Sequence, residues 1–217
     1  MFIGVDFDNT IVRYDELMYE IAAGWGAISK NTSRNKTQIR DSLRKLADGE
    51  IVWQRLQAAA YGSRIGDAAP AAGVETFFRF CKTRGIPLCI VSHKTEHSNL
   101  GESTVNLRTS AMTWLRQHGL VGGGDCGIDE TAVFFESTRA AKVGRIRNLG
   151  VTHFIDDLEE TFAASGFPPA VGKILYADTA PRDAREMLSF ATWRGIQEHV
   201  EREATAAGPA TGLSGRG

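Results

Sequence analysis

The sequence predicts an α/β fold, a doubly wound parallel sheet with one small all-helical insertion. Three observations carry this. Short continuous apolar runs bounded by turn residues, the pattern of strands buried on both faces, recur along the chain. Apolar residues at helical spacing separate them, so strand and helix alternate. Between residues 13 and 69 the apolar runs stop and only helical spacing remains.

Taken in order, Phe2 to Phe7 reads as a short buried strand. Tyr14, Leu17, Met18, Ile21, Trp25 and Ile28 then recur at helical spacing, and polar Asn31 to Lys36 interrupts them. Ile39, Leu43 and Leu46 form a second stripe closed by Gly49; Trp53, Leu56 and Ala60 form a third, ending near Gly62. After Pro70, Val74, Phe77, Phe78 and Cys81 make a helix stopped at Gly85, and IPLCIVS is the next strand. Leu107, Ala111, Trp114 and Leu115 give a helix ending at Gly119. AVFFE, THFID and KILYAD read as strands, with helices over Ala140 to Leu149 and Leu158 to Ala164. A last helix is expected from about Ala184 to Val200. The expected division is a core of residues 1–12 and 70–202, an insertion at 13–69, and a small-residue segment, 203–217, expected to be disordered.

A chain of 217 residues, 42% hydrophobic and 24% charged, can bury such a core without staples. The net charge of -1 argues against a general nucleic-acid binder. Cys81, Cys89 and Cys126 are scattered and odd in number, which fits a reducing compartment. No apolar run reaches the roughly 18 residues of a membrane span, and a strand starting at Phe2 leaves no room for a cleavable leader. The expectation is a cytoplasmic protein with no membrane or nucleic-acid partner; the oligomeric state stays open.

GVDFDNTIV, from Gly4 to Val12, poses the chemical question. A buried strand avoids carboxylates, yet this one ends in Asp6 and Asp8, which a period of two turns to the same face. Two like charges that close raise one pKa unless a cation neutralises them. Ser92 ends LCIVS, and Asp156 and Asp157 end THFI. In doubly wound sheets the ligand crevice lies beyond the carboxyl ends of the strands, so these polar groups should converge on one edge.

DFDNT, with its D-x-D-x-T spacing, resembles motif I of the haloacid dehalogenase (HAD) superfamily of phosphohydrolases. LCIVS resembles motif II, Lys142 in TRAAKVGRI the motif III lysine, and FIDDLEE the acidic motif IV, all in the family's order. The resemblance implies a Rossmann-like HAD core with a helical cap between motifs I and II, and a Mg2+-dependent phosphomonoesterase acting on a small phosphorylated metabolite. Asp6 would attack phosphorus and form an acyl phosphate. Asp8 would protonate the leaving group and then activate water. Magnesium would be held by Asp6, the main-chain carbonyl of Asp8, Asp157, and Asp156 directly or through a water. Ser92 would hydrogen-bond the phosphoryl group and Lys142 offset its charge. Thr10 would brace the loop. Lys142 stands only 15 residues before Asp157, so Lys94 is an alternative for the lysine role. Glu160 is a candidate third acid, or that position is absent.

Plainer readings compete with each assignment. Asp6 with Asp8, or Asp156 with Asp157, could cap the helices that follow. Lys142 alone would be a solvated lysine, and Ser92 alone a turn residue. His93 and His97, four apart, could hold zinc on a helix, but SHKTEHSNLGEST is rich in loop formers, so His93 and Lys94 read better as substrate contacts. GLVGGGDCG is a turn. Arg34, Lys36, Arg40, Arg44 and Lys45 in the insertion read first as a solvated face, and Trp25, Trp53, Trp114 and Trp193 as core. Competing functions are a phosphomutase or other phosphotransferase of the same superfamily, a catalytically silent HAD-like binding module, and a receiver-type phospho-acceptor domain. The last places its acceptor Asp at a middle strand, where this chain has Ser92.

Overall fold

The structure, a computed structural model, describes residues 1–100, 105–178 and 186–206. Six strands form one parallel sheet: β1 (Ile3–Val5), β4 (Leu88–His93), β5 (Val133–Glu136), β6 (His153–Asp156), β7 (Gly172–Tyr176) and β8 (Leu188–Phe190). Their order is β5-β4-β1-β6-β7-β8. The chain therefore winds outward from β1 on one side and returns to β6 on the other, which makes the end of β1 the topological switch point. Val5 pairs with Ile90 on one flank and Ile155 on the other. That register brings the residues after β1, β4 and β6 out at the same edge. At Gly4 a Cβ would lie 2.6 Å from the Phe154 ring, so only glycine lets this side chain lie against β1.

Helices α4 (Val74–Thr83), α5 (Leu107–Gln117), α6 (Arg139–Leu149), α7 (Glu159–Phe162) and α8 (Trp193–Ala206) accompany the sheet. Three more lie between the first and second sheet strands: α1 (Asp15–Gly24), α2 (Lys36–Leu43) and α3 (Gly49–Tyr61). Their entry and exit are tied by a two-stranded antiparallel ribbon, β2 (Val12–Arg13) with β3 (Ala69–Pro70). The ends of the expected strand-free segment, Arg13 and Ala69, are thus themselves paired. Apolar side chains of α1, α2 and α3 join Val5, Phe7 and Trp114 in one continuous cluster, and the Trp114 indole donates to the Ala68 carbonyl at 2.9 Å. The inserted helices are packed onto the sheet layer rather than tethered to it.

Several expectations need correction. The last helix does not begin near Ala184: Leu188–Phe190 is an edge strand, and α8 starts at Trp193 and runs through Glu203 to Ala206. A three-residue, half-buried strand has too few positions to show a period. The rest of the expected tail, 207–217, lies outside the described residues. Trp25 is 49% exposed and Leu46 44%, because α1 and α2 end before them, whereas Trp53, Trp114 and Trp193 are core. Cys81, Cys89 and Cys126 are free and buried, and burial pushes the Cys81 and Cys89 thiols up to about 12. Among the described residues no helix is long and apolar enough to cross a membrane.

Candidate active site

Asp6 follows β1 directly, and its amide donates to the Ile155 carbonyl at 2.9 Å, so the backbone there is still clamped by β6. Beyond it the chain turns sharply. Asn9 adopts a left-handed φ of 59°, which asparagine tolerates better than most residues, and the amides of Ile11 and Val12 both return to the Phe7 carbonyl. The turn carries Asp8 to the rim of the site while Asp6 stays buried.

Lys142 comes from the first turns of α6, a helix capped by Thr138, whose Oγ1 accepts from the Ala141 amide. Its Nζ donates to Asp6 Oδ1 and to Asp156 Oδ2, each at 2.6 Å, and the lysine is 3% exposed. Burial works against this ammonium, but the Asp6 and Asp156 carboxylates outweigh it and hold its pKa above the ordinary lysine value. Of the two candidate lysines, Lys142 is the one that contacts Asp6. Lys94, the alternative, pairs instead with Asp8, Nζ to Oδ1 at 3.0 Å. Its backbone is locked from both sides: its amide donates to the Glu136 carbonyl, and its carbonyl accepts from Arg108 Nε. Tyr14, which no sequence signal marked except as an apolar stripe position, donates its hydroxyl to the same Asp8 Oδ1 at 2.7 Å. Burial, then the neighbouring Asp8 charge, raises the Tyr14 pKa well above its usual value, so it remains a donor.

Asp156 is fully buried and spent within the chain: Oδ1 accepts from the Leu158 amide and Oδ2 from Lys142. Leu158 stands at the N-cap position of α7 and that helix has no side-chain cap, so the Asp156 bond closes the turn before the helix and the helix-capping reading of this pair does not hold. Asp157 accepts no hydrogen bond from the described residues and is only partly buried. One oxygen from each of Asp6, Asp156 and Asp157 lies within 4.8 Å of the others. Among the described residues a single ammonium, Lys142, contacts this group, and burial, followed by mutual repulsion, raises the carboxyls of Asp6 and Asp157 above the usual range. Three hard oxygen donors with an excess of negative charge suit a divalent cation of the magnesium kind. Among the described residues, Ser92 Oγ, near the end of β4, and Thr10 Oγ1 are buried without a hydrogen-bond partner. An unpaired buried hydroxyl is costly unless a ligand meets it, which agrees with a phosphoryl contact for Ser92.

Other expected participants lie elsewhere. His93 is exposed, and its Nε2 donates to the Ser137 carbonyl at 3.1 Å; strand β4 turns it away from Ser92 and Lys94 by alternation. His97 lies on the following loop, so the two histidines do not share a helix face. Glu160 is exposed on α7, outside the carboxylate group. Of the five basic residues singled out in the insertion, Arg34, Arg40 and Arg44 pair with Glu16, Asp41 and Glu50 on the surface, and Lys45 is exposed. Lys36 differs. It is partly buried at the start of α2, and although burial lowers its pKa, Tyr61, Asp157 and Asp8 together raise it.

No protein-family model matches the sequence, and no curated protein matches it. Solved structures do. A HAD-superfamily hydrolase of subfamily IA from Geobacter sulfurreducens PCA is 15% identical, with 91% of this chain and 95% of that one covered at a TM-score of 0.56. A dehalogenase with an intermediate complex is 10% identical over 91% and 96%, at 0.54. A haloacid dehalogenase-like hydrolase from Xanthomonas campestris is 13% identical over 96% and 97%, at 0.52. These likenesses extend over nearly the whole chain, inserted helices included, and together with the strand order they establish that the chain has the haloacid dehalogenase superfamily fold.

Proposed function

We propose that this chain is a magnesium-dependent phosphomonoesterase acting on a small phosphorylated metabolite, with Asp6 as the nucleophile. The observation that carries the reading is the division of labour between two carboxylates two residues apart. Asp6 is buried against the Lys142 ammonium, and Asp8 is held at the rim by Tyr14 and Lys94.

An Asp6 oxygen attacks phosphorus, forming an acyl phosphate as the bond to the leaving oxygen breaks. Lys142 orients Asp6 and offsets the charge that builds on the phosphoryl oxygens, with Ser92 Oγ as a further donor. The leaving oxygen takes its proton from Asp8. Both neighbours of Asp8 bond Oδ1, which leaves Oδ2 to carry that proton. Water then attacks phosphorus and gives a proton back to Asp8, releasing inorganic phosphate and the Asp6 carboxylate. Such acid–base assistance is typically worth ~100- to 10,000-fold. Asp6, Asp157 and the main-chain carbonyl of Asp8 would hold magnesium, which would supply the charge that lets a phosphate dianion approach these carboxylates. Asp156 contributes by holding Lys142. A dehalogenase, the activity of two structural neighbours, is served less well, because halide departs without a proton and Asp8 would be idle.

The test is hydrolysis of 4-nitrophenyl phosphate with magnesium, with chelator, and by Asp6→Asn. Turnover is expected only for the native chain with the cation. Undiminished turnover in chelator, or by a folded Asp6→Asn protein, refutes the reading.

A further inference from the structure

Lys94 reaches Asp8 through a side chain that is only 2% exposed, its ammonium 3.0 Å from Oδ1. The same ammonium lies 5.4 Å and 5.2 Å from the centres of the Phe7 and Tyr61 rings. A stem packed in this way cannot swing to make up for a shift of its backbone. An ammonium that loses its carboxylate there stays buried and unpaired, which is strongly unfavourable. Whatever fixes the backbone at residue 94 therefore fixes the contact with Asp8.

Residue 94 is the first beyond β4, where pairing with β5 ends at His93 and Glu136. Its amide still donates to the Glu136 carbonyl at 2.8 Å. Its own carbonyl lies past the ladder and accepts instead from Arg108 Nε at 2.9 Å. The same guanidinium donates through Nη2 to Ser137 Oγ at 2.7 Å and through Nη1 to Glu96 Oε1 at 3.4 Å. Ser137 is the first residue beyond β5. One planar fork thus joins the chain leaving β4 to the chain leaving β5, a geometry that the single ammonium of lysine cannot copy. Arg108 is itself well placed. Asn106 Oδ1 caps α5 by accepting from the Arg108 and Thr109 amides, each at 3.0 Å, and the Leu107 amide donates to the Glu96 carbonyl at 2.7 Å. Among the described residues the Arg108 side chain bonds Lys94, Glu96 and Ser137, and none of the reacting groups.

We propose that Arg108 is a positioning residue for proton transfer by Asp8. Through the Lys94 carbonyl it keeps the ammonium on Asp8 Oδ1, so that Oδ2 stays turned to the leaving oxygen. The charge left on Asp8 once its proton has gone is then met by an ammonium already in place. The acid role of Asp8 rests on the phosphomonoesterase reading; the chain of contacts from Arg108 to Lys94 to Asp8 does not.

The experiment uses the full chain in magnesium and the variant Arg108→Met, which removes the fork and keeps an unbranched stem. Amide hydrogen exchange followed by NMR reads the link without any turnover. Exchange at Lys94 should accelerate about tenfold or more relative to Ile90, in the middle of β4, which is the usual worth of one hydrogen bond to a charged group. Equal acceleration at both amides marks a general loss of stability and overturns the proposal. Single-turnover kinetics read the consequence. Phosphoryl transfer from ethyl phosphate should slow about tenfold, whereas the nitrophenolate burst from 4-nitrophenyl phosphate should keep its rate within about twofold, since that leaving group needs no proton. Arg108→Lys, which keeps one donor, should fall between wild type and Arg108→Met. In a Lys94→Met background, Arg108→Met should alter the ethyl phosphate rate by about twofold at most, because its route to Asp8 is already gone. Equal losses on the two esters, or the same loss with and without Lys94, overturn the proposal. Wild-type protein that turns over neither ester refutes the reaction reading, and the exchange ratio then scores the link from Arg108 to Lys94 by itself.

Discussion

Replacing Lys142 by methionine removes the ammonium that joins Asp6 to Asp156 while keeping an unbranched stem of similar reach. Little of the loss is then packing. Both ion pairs are 2.6 Å long, and the side chains of Lys142, Asp6 and Asp156 are 4%, 7% and 0% exposed, so water cannot take over. Removing one partner of a buried pair costs about 3–5 kcal/mol, against about 0–1 kcal/mol for a surface pair. In a chain of this size each kcal/mol moves the melting temperature by about 2–4 °C, which puts the expected fall at about 6–20 °C. Urea unfolding followed by far-UV circular dichroism, in chelator, measures it. At about pH 5.5 the stranded carboxylates can take up protons, so the loss should shrink relative to about pH 8. Asp156→Asn added to Lys142→Met should recover part of the deficit, a coupling of about 1–3 kcal/mol. A loss below about 1 kcal/mol, or the same loss at both pH values, would show that the lysine is not carrying buried charge, and the reasoning would fall.

Three further outcomes follow from the same geometry. Asp6 and Asp157 have raised pKa values in the folded chain, so between the ordinary carboxylate range and neutrality the folded state holds more protons than the unfolded one. Metal-free stability should therefore fall as pH rises through that window, and magnesium should raise the melting temperature more at about pH 8 than at about pH 5.5; a metal-free stability that rises across the window contradicts this. Asp157→Asn should weaken magnesium binding more than Asp156→Asn, which should chiefly lower stability, because Asp156 is already bonded to Lys142 and the Leu158 amide; titrations in the reverse order would make Asp156 the principal ligand. Asp8→Ala mixed rapidly with 4-nitrophenyl phosphate should release a burst approaching one nitrophenolate per site and then turn over slowly, since that leaving group needs no proton while water attack still lacks its base. Unaltered turnover of alkyl phosphates by Asp8→Ala would remove its acid–base role.

The part of the site legible in the sequence is the part written in strands. Asp6, Ser92, Asp156 and Asp157 each end an apolar run, and parallel strands of one sheet must deliver their ends to one edge. The same locality explains why most helices were legible and β8 was not. An amphipathic helix repeats its signal over several turns, whereas Leu188–Phe190 is three half-buried residues whose strand character comes from pairing with β7.

Which charges pair was decided only by the tertiary structure. Lys142 reaches Asp6 across 136 positions and Lys94 reaches Asp8 across 86, and no local pattern assigns one lysine to one carboxylate. In the sequence Tyr14 is one more apolar stripe residue; packing turns its hydroxyl onto Asp8. Lys36 looks like Arg34, Arg40, Arg44 and Lys45 around it, and Trp25 like the other three tryptophans. The fold separates them, since a charge or a ring takes its meaning from what surrounds it. Burial and long-range contact are properties of the packed chain, while periodicity and strand ends belong to the chain itself.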